Sequence, residues 1–171
     1  MTAPLIRPAT EDDLPAIVAI YNDVIATSTA IYSDTPVDIA NRRAWMADRT
    51  RQGYPLLVSQ DDSGITGLAT FGDFRSFPGY RFTVEHSVHV RADQRGKGLG
   101  SALVAALFDP AIALGKHVMI GAIDAENPGS LRFHQRLGFF ESGRLPEVGY
   151  KFGSFRTLVF MQKILAGAET R

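Results

Sequence analysis

Four short segments hold the residues able to do chemistry. In the first, Phe82–Val90, Glu85 stands among alternating apolar and polar residues. Side chains alternate faces along a strand, so Phe82, Val84, His86, Val88 and Val90 share one face, and Thr83, Glu85, Ser87 and His89 share the other. A carboxylate on the polar face of a central strand can sit in a cleft, where desolvation raises its pKa toward that of a useful base. The plain alternative is an antiparallel strand with one solvated face, and the strand taken alone favours it. The setting shifts that balance, because the strand runs straight into a second segment, Gln94-Arg95-Gly96-Lys97-Gly98-Leu99-Gly100-Ser101. Glycines let a backbone approach an anion closely and take positive φ. A following helix N-terminus adds free amides and a partial positive charge, and Arg95 and Lys97 add whole charges. Strand, loop and apolar helix in that order favour phosphate binding over a solvated turn. Glycines at 96, 98 and 100 fit neither the GxxxxGK[ST] nor the GxGxxG spacing.

The third segment is Asn127 to Phe139. Ser130, Phe133, His134 and Leu137 fall on one helical face, which turns His134 toward the protein. By themselves Asn127 reads as a helix cap and His134 as a hydrogen-bonded buried histidine. The fourth is an aromatic loop, Phe74 to Arg81. Arg75 there can grip a carboxylate bidentately, and a solvated loop arginine is an equal alternative. Phe74, Phe77 and Tyr80 can wall a pocket, or equally cover the core or a dimer surface. No metal site is expected, since His86 and His89 point to opposite faces of their strand.

The elements that must position these segments follow from the pattern. Leu5–Arg7 reads as a short first strand. Thr10, with Asp13 three residues on, opens a helix through Leu14, Ile17, Val18 and Tyr21. A second helix is predicted to start at Thr35-Pro36 and to end at Gly53. Leu56–Val58 and Ile65–Phe71 form a strand pair about the turn 61–64. One apolar helix is predicted from the glycine loop to Gly115, then a buried strand over Val118–Ile123. A helix from Asn127 to Gly138 and strands at Phe139–Glu141 and Arg156–Met161 complete the chain. The order predicts an α/β fold, a mixed sheet with a largely antiparallel first half.

Composition narrows the field. The 171 residues suit one domain, 1–171. Lys+Arg 18 against Asp+Glu 18 argues against a nucleic-acid partner, whose binding needs neutralised phosphates. The lack of Cys removes disulfides, thiolate metal sites and cysteine nucleophiles. It suits the reducing cytoplasm. No apolar run approaches the ~18 residues of a membrane span, and Met1–Pro8 lacks the apolar core of a signal peptide.

The segments in this order resemble the GCN5-related N-acetyltransferase (GNAT) family. Its acetyl-CoA loop pattern, [QR]-x-x-G-x-[GA], is met by Arg95, Gly98 and Gly100. Its helix pattern, Asn-x-x-[AS]-x-x-[LF]-[YH]-x-x-x-G-[FY], is met by Asn127, Ser130, Phe133, His134, Gly138 and Phe139. A finer resemblance is to the phosphinothricin and methionine sulfoximine N-acetyltransferase subgroup. It rests on Thr29–Tyr32, Gly72–Arg75, Tyr80–Val88 and Gly149–Lys151. It implies a twisted, mainly antiparallel sheet flanked by helices, acetyl-CoA as cosubstrate, a small-molecule amine as acceptor, and a homodimer. Glu85 would be the catalytic base. Acetyl-CoA would lie on Val88, His89 and Val90, on the loop Arg95, Gly96, Lys97, Gly98, Leu99, Gly100 and Ser101, and on Asn127 and Ser130. The acceptor would meet Phe74, Arg75, Ser76, Phe77, Tyr80, Glu85, His86 and Ser87. Many members carry Tyr, assigned as the acid for the leaving thiolate, where this chain has His134; His134 or water would supply that proton here. Rival functions are acetylation of peptide or protein N-termini, a non-catalytic acetyl-CoA sensor, and an NTP-binding protein, the last disfavoured by the missing phosphate-loop Lys and Ser.

Overall fold

The computed structural model describes residues 4–165; Met1–Ala3, the start of the stretch expected to lack a signal-peptide core, lie outside the described residues. Strand β1 (Leu5–Pro8) leads through a single 3-10 turn into helix α1 (Leu14–Thr27). The capping signal works as expected: the Thr10 amide donates to Asp13 Oδ2 at 2.8 Å, and Arg7 grips the same carboxylate from β1 at 2.8 and 2.9 Å. Helix α2 (Ile39–Arg51) starts later than the Thr35-Pro36 signal suggests. The side chain of Asn22 on α1 pairs both main-chain groups of Val37, at 2.8 and 2.9 Å. That holds Val37 outside the helix, so the extended Asp38 becomes the cap, accepting from the Asn41 amide at 2.7 Å.

Strands β2 (Leu56–Asp61), β3 (Gly64–Asp73) and β4 (Thr83–Val90) follow as antiparallel neighbours. The single helix expected after the glycine loop is two, α3 (Leu99–Ala105) and α4 (Phe108–Ala113). Pro110 explains the break, because proline donates no amide and its ring clashes with the carbonyl four residues back. Strand β5 (Val118–Asp124) precedes helix α5 (Pro128–Arg136), and a long hairpin, β6 (Phe140–Lys151) and β7 (Ser154–Ile164), ends the described chain. The two hairpin strands run to 12 and 11 residues, about four times and twice their expected lengths. Register shifts after Glu141 and Leu145, and positive φ at Glu147, break the alternation that would reveal β6 in sequence.

The sheet order is β1-β2-β3-β4-β5-β7-β6, and only the β4–β5 contact is parallel. One face packs Val84, Met119, Val159 and Met161 against Leu103 and Val104 of α3, Ala111 of α4 and Leu107 between them. The other packs Val58 and Leu68 against Ile17 and Ile20 of α1, with Trp45 and Met46 of α2 alongside. Each such side chain removed from water contributes about 1.5–3 kcal/mol. These two layers hold β4 at the centre of the sheet.

Candidate active site

The site arises where β4 and β5 part. They pair only from Thr83–Glu85 to Val118–Ile120, and beyond those residues neither strand has a neighbour on that side. The backbone direction there is fixed by its bonds. The Phe82 carbonyl accepts from the amides of His117 and Val118 next to β5, and the Arg91 amide donates to Thr66 on β3. N–H and C=O of one strand residue point the same way. His86, Val88 and Val90 therefore aim their main-chain groups into the gap, and Glu85, Ser87 and His89 aim theirs at β3. The Val88 amide faces the gap and pairs with neither neighbouring strand, whereas the His89 amide belongs to the β3 ladder. His89 reaches the cleft through its side chain instead.

A cleft runs along the gap, lined by Glu85 to His89 from β4, by Gly121 to Asp124 from β5, and by Asn127, Ser130 and His134 of α5. The segment Thr29–Tyr32 forms its roof, with Tyr21 of α1 and Leu158 of β7. Glu85 projects on the α1 side. Its carboxyl pKa is raised by burial, and it has no hydrogen bond or ion pair to other described residues. A desolvated carboxylate without a counter-ion is a stronger base than a solvated one.

The opposite face holds two buried histidines. His86 Nε2 lies 3.0 Å from His134 Nε2, and His134 Nδ1 lies 2.8 Å from the Ser130 carbonyl oxygen. Burial lowers His86 to about 3 and His134 to about 4, so both are neutral at pH 7. His89 is lowered to about 4 by burial and then by the charges of Arg42 and Arg95; it meets the ring of Tyr21 edge-on at 5.3 Å. Asn127 is a cap, accepting from the Ser130 amide at 3.1 Å, and it also borders the cleft.

The glycine loop follows the C-terminal end of β4, where the gap is open. Gly96 and Gly98 have φ of 77° and 79°, the left-handed region that glycine adopts without strain. Helix α3 opens at Gly98 with no side-chain cap, which leaves its first amides free for an anion. Arg95 folds back on the strand end, donating to the Val90 carbonyl at 3.1 Å and meeting Asp23 of α1 at 3.2 Å. Lys97 is exposed and donates to Gln94 at 3.0 Å. The loop, Leu99–Ser101 and Val90 lie beyond the residues lining the cleft, at its open end.

The aromatic loop lies at the other end of β4, where the Phe74 amide donates to the Thr83 carbonyl. Phe74 meets Phe160 of β7 edge-on at 5.9 Å. In register, Glu85 stands beside Ile120, and Phe160 beside Ala122, so Phe74 roofs the sheet face that carries Glu85. Arg75 is exposed and stacks over Phe74 at 5.1 Å and Tyr80 at 6.0 Å. Ser76, Phe77 and Tyr80 are exposed as well. None of Phe74 to Tyr80 lines the cleft itself. The sequence singled out Glu85, His86, Ser87, Val88, His89, Asn127, Ser130 and His134, and the structure brings these together. It missed Tyr21, the roof and Asp124 as site residues. Only the position of Asp124 at the end of a buried strand hinted at the last of these.

Comparison with known proteins gives the family. The acetyltransferase (GNAT) domain family matches residues 5–140. The chain belongs to the GNAT family of acetyltransferases. An L-methionine sulfoximine/L-methionine sulfone acetyltransferase from Pseudomonas aeruginosa is 56% identical over 158 residues, 92% of each chain. A phosphinothricin N-acetyltransferase from Alcaligenes faecalis is 36% identical over 96% of this chain and 84% of its own. Among solved structures, an acetyltransferase from Salmonella typhimurium with its cofactor acetyl-CoA superposes with a TM-score of 0.93. It is 47% identical and covers 96% of this chain and 95% of its own. The chain is an acetyl-CoA-dependent N-acetyltransferase. Among the described residues no helix is long and apolar enough to cross a membrane.

Proposed function

We propose that the chain moves the acetyl group of acetyl-CoA to the α-amine of a small amino-acid analogue of the methionine sulfoximine, methionine sulfone or phosphinothricin type. The observation that carries this is the desolvated Glu85 carboxylate beside the unpaired edge of β4. The names borne by the relatives above supply the acceptor class.

The diphosphate of acetyl-CoA would rest on the amides of Gly96 to Ser101, with Arg95 and Lys97 adding charge, and its amide-bearing arm would follow the open edge of Val88 and Val90. The residues fit such a ligand: at Gly96 and Gly98 even the space of a Cβ is open. Asn127 and Ser130 would flank the arm from α5. An ammonium has no lone pair with which to attack, so Glu85, directly or through water, removes its proton. The Val88 amide polarises the thioester carbonyl as charge builds on oxygen. The thiolate leaves readily, with a pKa of about 8.5 for its thiol, and takes a proton from His134 or from water. Holding both reactants in one cleft removes much of the entropy cost of their meeting.

Phe74, Arg75, Ser76, Phe77 and Tyr80 would bound the acceptor, with Glu85, His86 and Ser87 at its base. Arg75 would hold the α-carboxylate. Its guanidinium is stacked on two rings and free of any acidic partner among the described residues, so it can turn to an incoming carboxylate. Thiol release from acetyl-CoA should be measured with methionine sulfoximine, methionine sulfone, phosphinothricin, ordinary amino acids and short peptides. Turnover of the free analogues and not of the peptides is expected. Arg75→Ala should raise KM for the analogues by about 10–100-fold, as expected for a lost charge-assisted bond, with KM for acetyl-CoA unchanged. Preference for peptides would overturn the small-acceptor reading, and an unchanged KM in Arg75→Ala would overturn the carboxylate role.

We further propose a homodimer in the cytoplasm. The hairpin β6–β7 exposes Val148 (57%), Tyr150 (56%), Phe152 (52%) and Phe155 (66%) together, an apolar patch that a second copy would cover.

A further inference from the structure

The two buried imidazoles form a hydrogen-bonded chain with a fixed direction. A carbonyl oxygen only accepts, so the 2.8 Å contact to Ser130 places a proton on His134 Nδ1. In the neutral ring Nε2 is then a bare lone pair, and His86 Nε2, 3.0 Å away, is the donor. His86 Nδ1 is left as a lone pair, and that atom is buried with no hydrogen-bond partner. The rings lie nearly parallel, 21° apart with centroids at 5.0 Å. Gly121 makes room for the contact: a Cβ there would stand 2.9 Å from His86 Nε2 and 3.0 Å from His134 Nε2. Both rings border the cleft, yet each N–H of the pair is spent inside the protein.

We propose that His86 is a positioning residue that locks His134 as the Nδ1–H tautomer, so that neither imidazole offers a proton to the departing thiolate and water supplies it. This rests on the acetyl-transfer reading above. In the step, the N–C bond forms as the C–S bond breaks and its electron pair leaves on sulfur. The acceptor ammonium loses two protons on becoming an amide, and Glu85 passes the first to solvent. The thiolate takes one from water, and one proton is released overall. The titratable groups bearing on His86 are His134 of α5 and His89 of its own strand. The other groups packed on the pair, Phe139, Phe133 and Gly121, are uncharged. Burial keeps both rings neutral through the physiological range.

Imidazole ¹⁵N–¹H correlation spectra of the full chain test this, with thiol release measured in parallel. At pH 7 the spectra should show His134 protonated at Nδ1 and His86 at Nε2, with neither titrating between pH 5 and 8. His86→Gln, which keeps a donor near the same place, should preserve the His134 tautomer in the same spectra. His86→Leu removes the donor to the His134 Nε2 lone pair, and because a hydrogen bond to the neutral ring disfavours its protonation, the His134 pKa should rise, with a new inflection in the kcat–pH profile. A purely structural role for His86 would lower stability without that inflection. An Nε2–H tautomer for His134 in the wild-type chain overturns the proposal, as does an unaltered titration in a folded His86→Leu variant. If His86→Leu does not fold, the wild-type spectrum decides. Loss of acetyl transfer to every amine would instead overturn the functional reading, whatever the tautomers.

Discussion

Glu85→Gln is expected to lower kcat/KM for the amino-acid acceptor by about 10²–10⁴, the range ascribed to a positioned general base. KM for acetyl-CoA should stay near its wild-type value, because Glu85 points its main-chain groups at β3 and away from the gap proposed for the cofactor. The substitution keeps size and shape and removes only the basic oxygen. The sign of the pH effect follows from the environment. Burial raises the Glu85 pKa above the ordinary 4.5, so the wild-type rate falls as pH drops through that raised value and the carboxylate is protonated. In the glutamine variant that acid limb should be absent from the small remaining activity. Steady-state rates across pH, fitted separately for the two substrates, check both statements. An unchanged kcat/KM would remove the base from the mechanism.

Lys151→Met is expected to lower stability by about 2–4 kcal/mol, and the melting temperature by roughly 5–15 °C for a chain of this size. Lys151 is wholly buried. Its ammonium donates to the Ile25 carbonyl at 2.7 Å and to the Ser33 carbonyl, and meets Asp34 at 3.2 Å. Those bonds tie the C-terminal end of α1 and the far end of the cleft roof to the β6–β7 hairpin. Tyr32 supplies the second tie, donating to Asp124 Oδ2 at 3.1 Å. Burial and then Asp124 raise its phenol to about 12, so it remains a donor at any physiological pH. Methionine fills much of the lysine volume and leaves both carbonyls without a donor. The roof segment Thr29–Tyr32 should loosen, so KM for the acceptor should rise together with the fall in melting temperature. Thermal unfolding and steady-state kinetics on one preparation would show the two effects moving together. A melting temperature within about 1 °C of wild type would show that the roof is held by other contacts.

The parts of the site that sequence reveals are those whose pattern is local. Alternation over Phe82–Val90 assigns Glu85 and His86 to opposite faces, and the structure keeps them there. The glycines of the loop and the cap at Asn127 are likewise local signals. The roof is different in kind. Lys151 lies 126 residues from Ile25 and 118 from Ser33, and Tyr32 lies 92 from Asp124, so no periodicity in any one segment announces these ties. The late start of α2 has the same origin, since Asn22 overrides a local proline signal from 15 residues away. The parting of β4 and β5 is also invisible in sequence. One strand reads as an unbroken alternation and the other as a continuous apolar run, and only the pairing register shows that they separate after three residues.

The central claim is that acetyl-CoA occupies the space between the parted strands. Amide exchange and chemical shifts of the folded protein, followed as acetyl-CoA is added, test it most directly. The account predicts that the Val88 and Val90 amides slow their exchange on binding, and that Gly96 to Ser101 shift with them. The amides of Glu85, Ser87 and His89, already paired to β3, should keep their rates. Binding that leaves Val88 and Val90 untouched, or that perturbs only residues away from β4 and the glycine loop, would contradict it.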